Sequence, residues 1–194
     1  MNLFLSVLLL LVPTPVKTEH GRFNIVKDGL KIGTDEFTIS RHEANYVLES
    51  KTTVGDTTTS SRMEFTDKFA PVSYEATSAG GTIRVKVDSP VSELQSVVNG
   101  ETSSADFRFP EKGVILDNNF FDHYLILMYR VLAGENKFLV FVPQDRSVGN
   151  ATVRSAGPRT YDLEIGEVHM QAMVDADGTM TKLTVPAAKV VVER

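Results

Sequence analysis

Asp122 and His123 are the residues in this chain best placed by type to do chemistry, a carboxyl next to an imidazole at the start of a long apolar segment. Aimed together at a groove, such a pair could move protons. The other histidines, at 20, 42 and 169, stand apart, and no two of the four have the H-x-H, H-x-x-H or H-E-x-x-H spacing that puts two metal ligands on one face. No metal is assigned. No serine lies in a G-x-S-x-G turn, and Asp56-Thr57-Thr58 lacks the glycine that an aspartic-protease loop carries after Asp-Thr. Asp175-Ala176-Asp177-Gly178 has the carboxylate density of a calcium loop without its third ligand or closing glutamate, and reads as a hairpin turn. Asn150-Ala151-Thr152 fits the glycosylation rule, which matters only in an organism that uses it. With 0 cysteines there is no disulfide, thiolate site or cysteine nucleophile. No catalytic residue and no cofactor are therefore expected.

The positions around that pair supply apolar surface instead. Phe120, Tyr124, Leu127, Met128 and Val131 recur at helical spacing between Asn118 and Gly134, with an Asp or Asn as N-cap and Gly134 just past the end. The spacing predicts a helix of about four turns from about Asn119 to Ala133. Phe121, Leu125 and Leu132 make a second side apolar, leaving a narrow stripe of Asp122, His123 and Arg130 to face water. Phe120, Tyr124, Leu127 and Met128, with His123 and Asp122, are the candidate ligand-contacting residues. Core packing is the plainer role for the same apolar side chains.

Around the helix the sequence alternates in steps of two. Phe23 and Ile25 precede Asp28-Gly29 and a return run through Phe37 and Ile39, a hairpin signature, and Asn99-Gly100 marks another. The Thr-rich stretch Thr52 to Ser61 reads as a strand end and an exposed loop, whereas Lys137 to Val142 is apolar enough for a strand covered on both faces. Across the chain about a dozen strands are expected, with no linker and no repeat.

The 194 residues suit a single domain, and a net charge of -5 without a basic stripe excludes a nucleic-acid partner. Leu3 to Val12 forms an apolar run of about ten residues, too short to span a bilayer, followed by Pro13-Thr14-Pro15. Residues 1–20 are expected to be a signal peptide or an N-terminal anchor and 21–194 the folded domain, with cleavage between Pro13 and Gly21 and the mature chain periplasmic or extracellular. No cysteine follows the run, which rules out a lipobox.

Three segments together carry a likeness: the hairpin of Phe23 to Gly33, the run Asn119-Phe120-Phe121-Asp122-His123-Tyr124, and Val174-Asp175-Ala176-Asp177-Gly178 followed by Lys182-Leu183-Thr184-Val185-Pro186. They resemble exported bacterial β-proteins grouped under domain of unknown function 3108. That resemblance implies a sheet rolled into a spiral and an envelope protein of unassigned role, and it brings no active-site residue. Pattern and resemblance agree on a mostly β fold, a single antiparallel β-roll or open barrel with one helix covering or plugging the sheet. The expected function is non-enzymatic, the binding of a lipid or other apolar or amphipathic ligand, or of an envelope protein partner, between helix and sheet. A purely structural protein with a filled core is the first alternative, and an enzyme using Asp122 and His123 the second.

Overall fold

The computed structural model describes residues 16–118 and 120–194. The expected leader up to residue 15 and Asn119 lie outside the described residues. The expected boundary at residue 21 falls inside the first strand, since Val16 already packs in the core and β1 spans Glu19–Lys27.

Strands β2 (Leu30–His42), β3 (Asn45–Val54), β4 (Thr57–Phe65), β5 (Pro71–Ser78), β6 (Gly81–Lys86), β7 (Ser92–Val98) and β8 (Glu101–Phe107) follow β1 as a meander. After β9 (Val114–Ile115) comes the helix α1 (His123–Leu132), then β10 (Lys137–Val142), β11 (Ser147–Gly157), β12 (Thr160–Ile165), β13 (Val168–Val174), β14 (Met180–Val185) and β15 (Val190–Glu193). Among the described residues all strands belong to one open sheet of 15, in which β1 pairs with β15 and so joins the two halves of the chain. Every pairing is antiparallel except β9 with β10, the two strands that α1 separates. A parallel pair needs such a crossover, so the helix is both connection and filling. The expected β-roll with one helix is the fold, with more strands than the dozen counted because short runs such as β9 carry no alternation to read.

Turn chemistry sets the registers. Asp28 and Gly29 both have positive φ, 50° and 81°, the geometry of the tight hairpin that pairs Lys27 with Leu30. Alternate residues then face inward: Phe23, Phe37, Leu48, Met63, Tyr74 and Val85 on one half, Val140, Val153, Leu163, Ala172, Leu183 and Val192 on the other. Opposite charges pair across strands outside, as in Arg22 with Glu36 at 3.7 Å and Arg84 with Glu75 at 2.7 Å.

The sheet overlaps itself rather than closing. Phe138 and Val140 share the inner face of β10, so Phe141 points outward, yet it is buried. Phe107, on the inner face of β8, stacks on it with ring centroids 4.7 Å apart, and Phe109 meets it edge-on. One margin of the sheet therefore lies over the outside of the other, which shelters a strand edge without hydrogen-bonded closure. Elsewhere β10 does not have two covered faces as expected, because Leu139 is 37% exposed.

The helix departs from expectation most. It is 10 residues long, under three turns, and the stripe of Asp122, His123 and Arg130 expected in water is buried. A helix inside a roll has sheet or loop on every side, so its polar groups must find protein partners. Arg130 forms a 2.6 Å ion pair with Glu135, donates to the carbonyls of Gly113 and Lys112, and lies over the Phe138 ring. At the C-terminal end the N–H of Gly134 donates to Val131 and that of Glu135 to Arg130, a Schellman close around the expected glycine, whose φ is 100°.

Candidate functional site

At its N-terminal end α1 is fastened by a residue 87 positions away. Asp122 occupies the N-cap position, but its carboxyl makes no capping bond. The Asp35 carboxyl, on the inner face of β2, accepts instead the N–H groups of Phe121 (3.0 Å) and Asp122 (2.9 Å), while the Thr52 hydroxyl donates to its other oxygen at 2.8 Å. A carboxylate there also favours the positive end of the helix dipole. Beside it a polar chain runs across β3 and β4: the Ser50 and Ser61 hydroxyls bond at 2.8 Å, and Ser61 lies 3.3 Å from Nε2 of His123. Nδ1 of His123 accepts the Asp117 N–H at 3.2 Å, and the Tyr74 hydroxyl donates to the Asp117 carboxylate. Tyr74 and Phe120 enclose the imidazole edge-on and face-on.

Burial decides how these groups titrate. It raises Asp122 well above the usual carboxylate range, the Asp35 charge and a proton shared with the Asp35 carboxyl add to that, and Ser50 opposes it, while no other donor of good geometry reaches either Asp122 oxygen. Asp35 is raised as well, by burial, against the lowering effect of Thr52 and the two N–H donors. Those donors favour its ionised form, so the proton shared by this coupled pair resides on Asp122. His123 is pushed down to about 3 by burial and is neutral. With Nδ1 acting as acceptor, its one proton sits on Nε2 and is donated to Ser61 Oγ. A general base for Ser61 would need the reverse arrangement.

Two cavities open beside this cluster, where α1 begins. One, of about 280 Å³, lies between Phe120, Phe121 and Tyr124 on one side and Ile165, Met170 and Val185 on the other. The second, of about 260 Å³, is walled by Ile25, Val54 and Phe121, with Lys27, Thr57 and Thr59. Asn118, Phe121 and Val190 belong to both walls, so Phe121 stands between the two. Thr52, which holds Asp35, is in the wall of the second. A larger surface cleft of about 750 Å³ lies elsewhere, lined by Asp88, Arg108, Glu111 and Lys112 among others, and contains none of the clustered groups.

No protein-family model, curated protein or solved structure matches the chain.

Of the six candidate ligand residues, Phe120 and Tyr124 line a cavity. Leu127 and Met128 are core side chains at 0% and 1% exposure. Asp122 and His123 are brought together with Asp35, Ser50 and Ser61, but beneath the surface rather than in an open groove. Sequence reasoning missed Asp35, Ser50, Thr52 and Ser61. The stretch read as a strand end and exposed loop is the paired ends of β3 and β4 around an exposed turn, and it is mostly exposed, but Thr52 and Ser61 at its two ends face inward and are buried. The available signal was period: Ser50 and Thr52 fall in step with buried Leu48, and Ser61 with Met63.

Proposed function

We propose that the protein is an exported, non-enzymatic module of the cell envelope that takes up a small apolar or amphipathic ligand beside the first turn of α1. The pair of mainly apolar cavities around Phe121 carries this reading, since ligand sites are concave, apolar and furnished with few polar groups. The binding place lies at the end of the roll rather than between helix and sheet, where Leu125, Leu127 and Met128 leave the interface filled. The imidazole, with its proton on Nε2, and the Asp122 carboxyl are both fully buried, which favours binding over catalysis. Among the described residues no helix is long and apolar enough to cross a membrane. Export rests on the apolar run before Pro13 and on the resemblance to envelope β-proteins.

Native mass spectrometry of the chain purified from its own envelope tests the function. A retained lipid-sized adduct is the expected result. A bare chain that also takes up no added amphiphile would turn the filled core into the decisive observation and make the protein structural. N-terminal sequencing of the same material should begin between Pro13 and Gly21, and an intact Met1 chain in the cytosol would defeat the export reading.

A further inference from the structure

We propose that the ligand is a single-chain amphiphile with an anionic head, its head held at Lys27 and its tail passing Phe121 into the neighbouring cavity. This rests on the binding reading above and adds orientation and charge to it.

The two cavities are alike in being mainly apolar and differ in the charged residue each holds. The wall of the one against β1 to β4 includes Lys27, Thr57 and Thr59, and no acidic residue. The wall against β12 to β14 has Asn118, Tyr124 and Asp117 as its polar residues and no basic one, and the Asp117 carboxylate already receives the Tyr74 hydroxyl. Nearby Lys189 is paired with Asp28 at 3.2 Å, whereas Lys27 has no ion pair among the described residues. An anionic head would therefore meet an unpaired cation and hydroxyl donors, while a cationic head would meet repulsion. Both chambers are mainly apolar and a cation lines one of them alone, which fits a molecule with an apolar chain and a charge at one end.

Size points to one chain spanning both. Each cavity alone falls just below the roughly 300 to 1,000 Å³ usual for ligand pockets, and the two joined fall within that range. Phe121 is the shared side chain that stands between them, and it is only half-buried. Its backbone is tied through its N–H to Asp35, so the ring can turn while the chain stays in place. The partition is thus a side chain with room to move on a fixed support.

The test is a heteronuclear NMR titration of the full chain with decanoate, decanol and decyltrimethylammonium, each below its micelle concentration. Decanoate should bind most tightly and perturb Thr57 and Thr59 together with Ile165 and Val185. Lys27 is exposed, so Lys27→Glu should leave the spectrum of the free fold intact, weaken decanoate by about fivefold and favour the cationic probe instead. Phe121→Ala should bind decanoate at least as tightly as the wild type and still perturb both chambers. Equal binding of the three probes, or an order unchanged in Lys27→Glu, overturns the anionic head while uptake itself leaves the binding reading standing. Perturbation confined to one chamber overturns the threading past Phe121. Uptake of none of the three overturns this proposal and the binding reading together.

Discussion

Replacing Asp122 by asparagine should stabilise the protein at and above neutral pH, although the residue is fully buried. The carboxyl keeps its proton in the fold far above 3.8, its ordinary value, and gives it up near that value when unfolded. A group whose folded pKa is raised contributes stability that is complete below its unfolded pKa and is lost as pH rises through the folded one. The loss runs at about 1.4 kcal/mol per pH unit while the folded carboxyl stays protonated. His123 acts oppositely. Its folded pKa is lowered to about 3 from 6.5, so it destabilises as pH falls below 6.5. Below about pH 6.5 the His123 slope opposes those of Asp122 and of Asp35, which is raised as well, and above 6.5 His123 no longer contributes and the Asp122 slope is unopposed. Wild-type stability from urea melts followed by tyrosine fluorescence should fall as pH rises above 6.5. In Asp122→Asn the upper fall should vanish, and the variant's advantage should widen with pH, its amide donating to Asp35 where the shared proton did. A variant less stable than wild type at pH 8, or a wild type level above pH 6.5, would show that Asp122 holds no proton and that the pair is held another way.

Three further outcomes follow from burial and backbone geometry. Leu127→Ala, at a core position with no exposure, should cost about 2 to 5 kcal/mol in the same melts, and a loss below 1 would place Leu127 against a void or a ligand. His123→Ala should cost about 2 to 4 kcal/mol, since it empties a ring-lined site and strands the Asp117 N–H, whereas a surface histidine would tolerate the change. Gly178 has φ 78° and a would-be Cβ 3.0 Å from the Leu132 side chain, so Gly178→Val should lower stability by at least about 1 kcal/mol. Asp177→Ala should change it less, because the Asp175 carboxylate accepts the Asp177 and Thr179 backbone N–H groups, which alanine keeps.

Local patterns were legible wherever a residue type has one dominant backbone or facial consequence. Asp28-Gly29 and Asn99-Gly100 predicted hairpins because both central residues must take positive φ, and both do. Gly134 marked the helix end for the same reason, and two-residue alternation predicted the inward face from Phe23 to Val85 because side chains in a strand point to opposite sides in turn. Sequence alone therefore determined the β class, the presence of one helix and most turn positions.

It did not determine what that helix touches. Polar Asp122, His123 and Arg130 marked a wet stripe by composition, but hydrophobicity read along one segment cannot anticipate carboxyls, hydroxyls and carbonyls delivered by other strands. Asp35 comes from β2, Ser50 and Ser61 from β3 and β4, and Tyr74 from β5; they meet the start of α1 only when the sheet curls. The overlap of Phe107 on Phe141 is equally nonlocal, since it places an outward side chain in the dry. Tertiary structure also decided where open space remains beside the helix. Packing fills the middle of the roll with Leu127 and Met128 and leaves two cavities where α1 begins, with Phe121 in the wall of both.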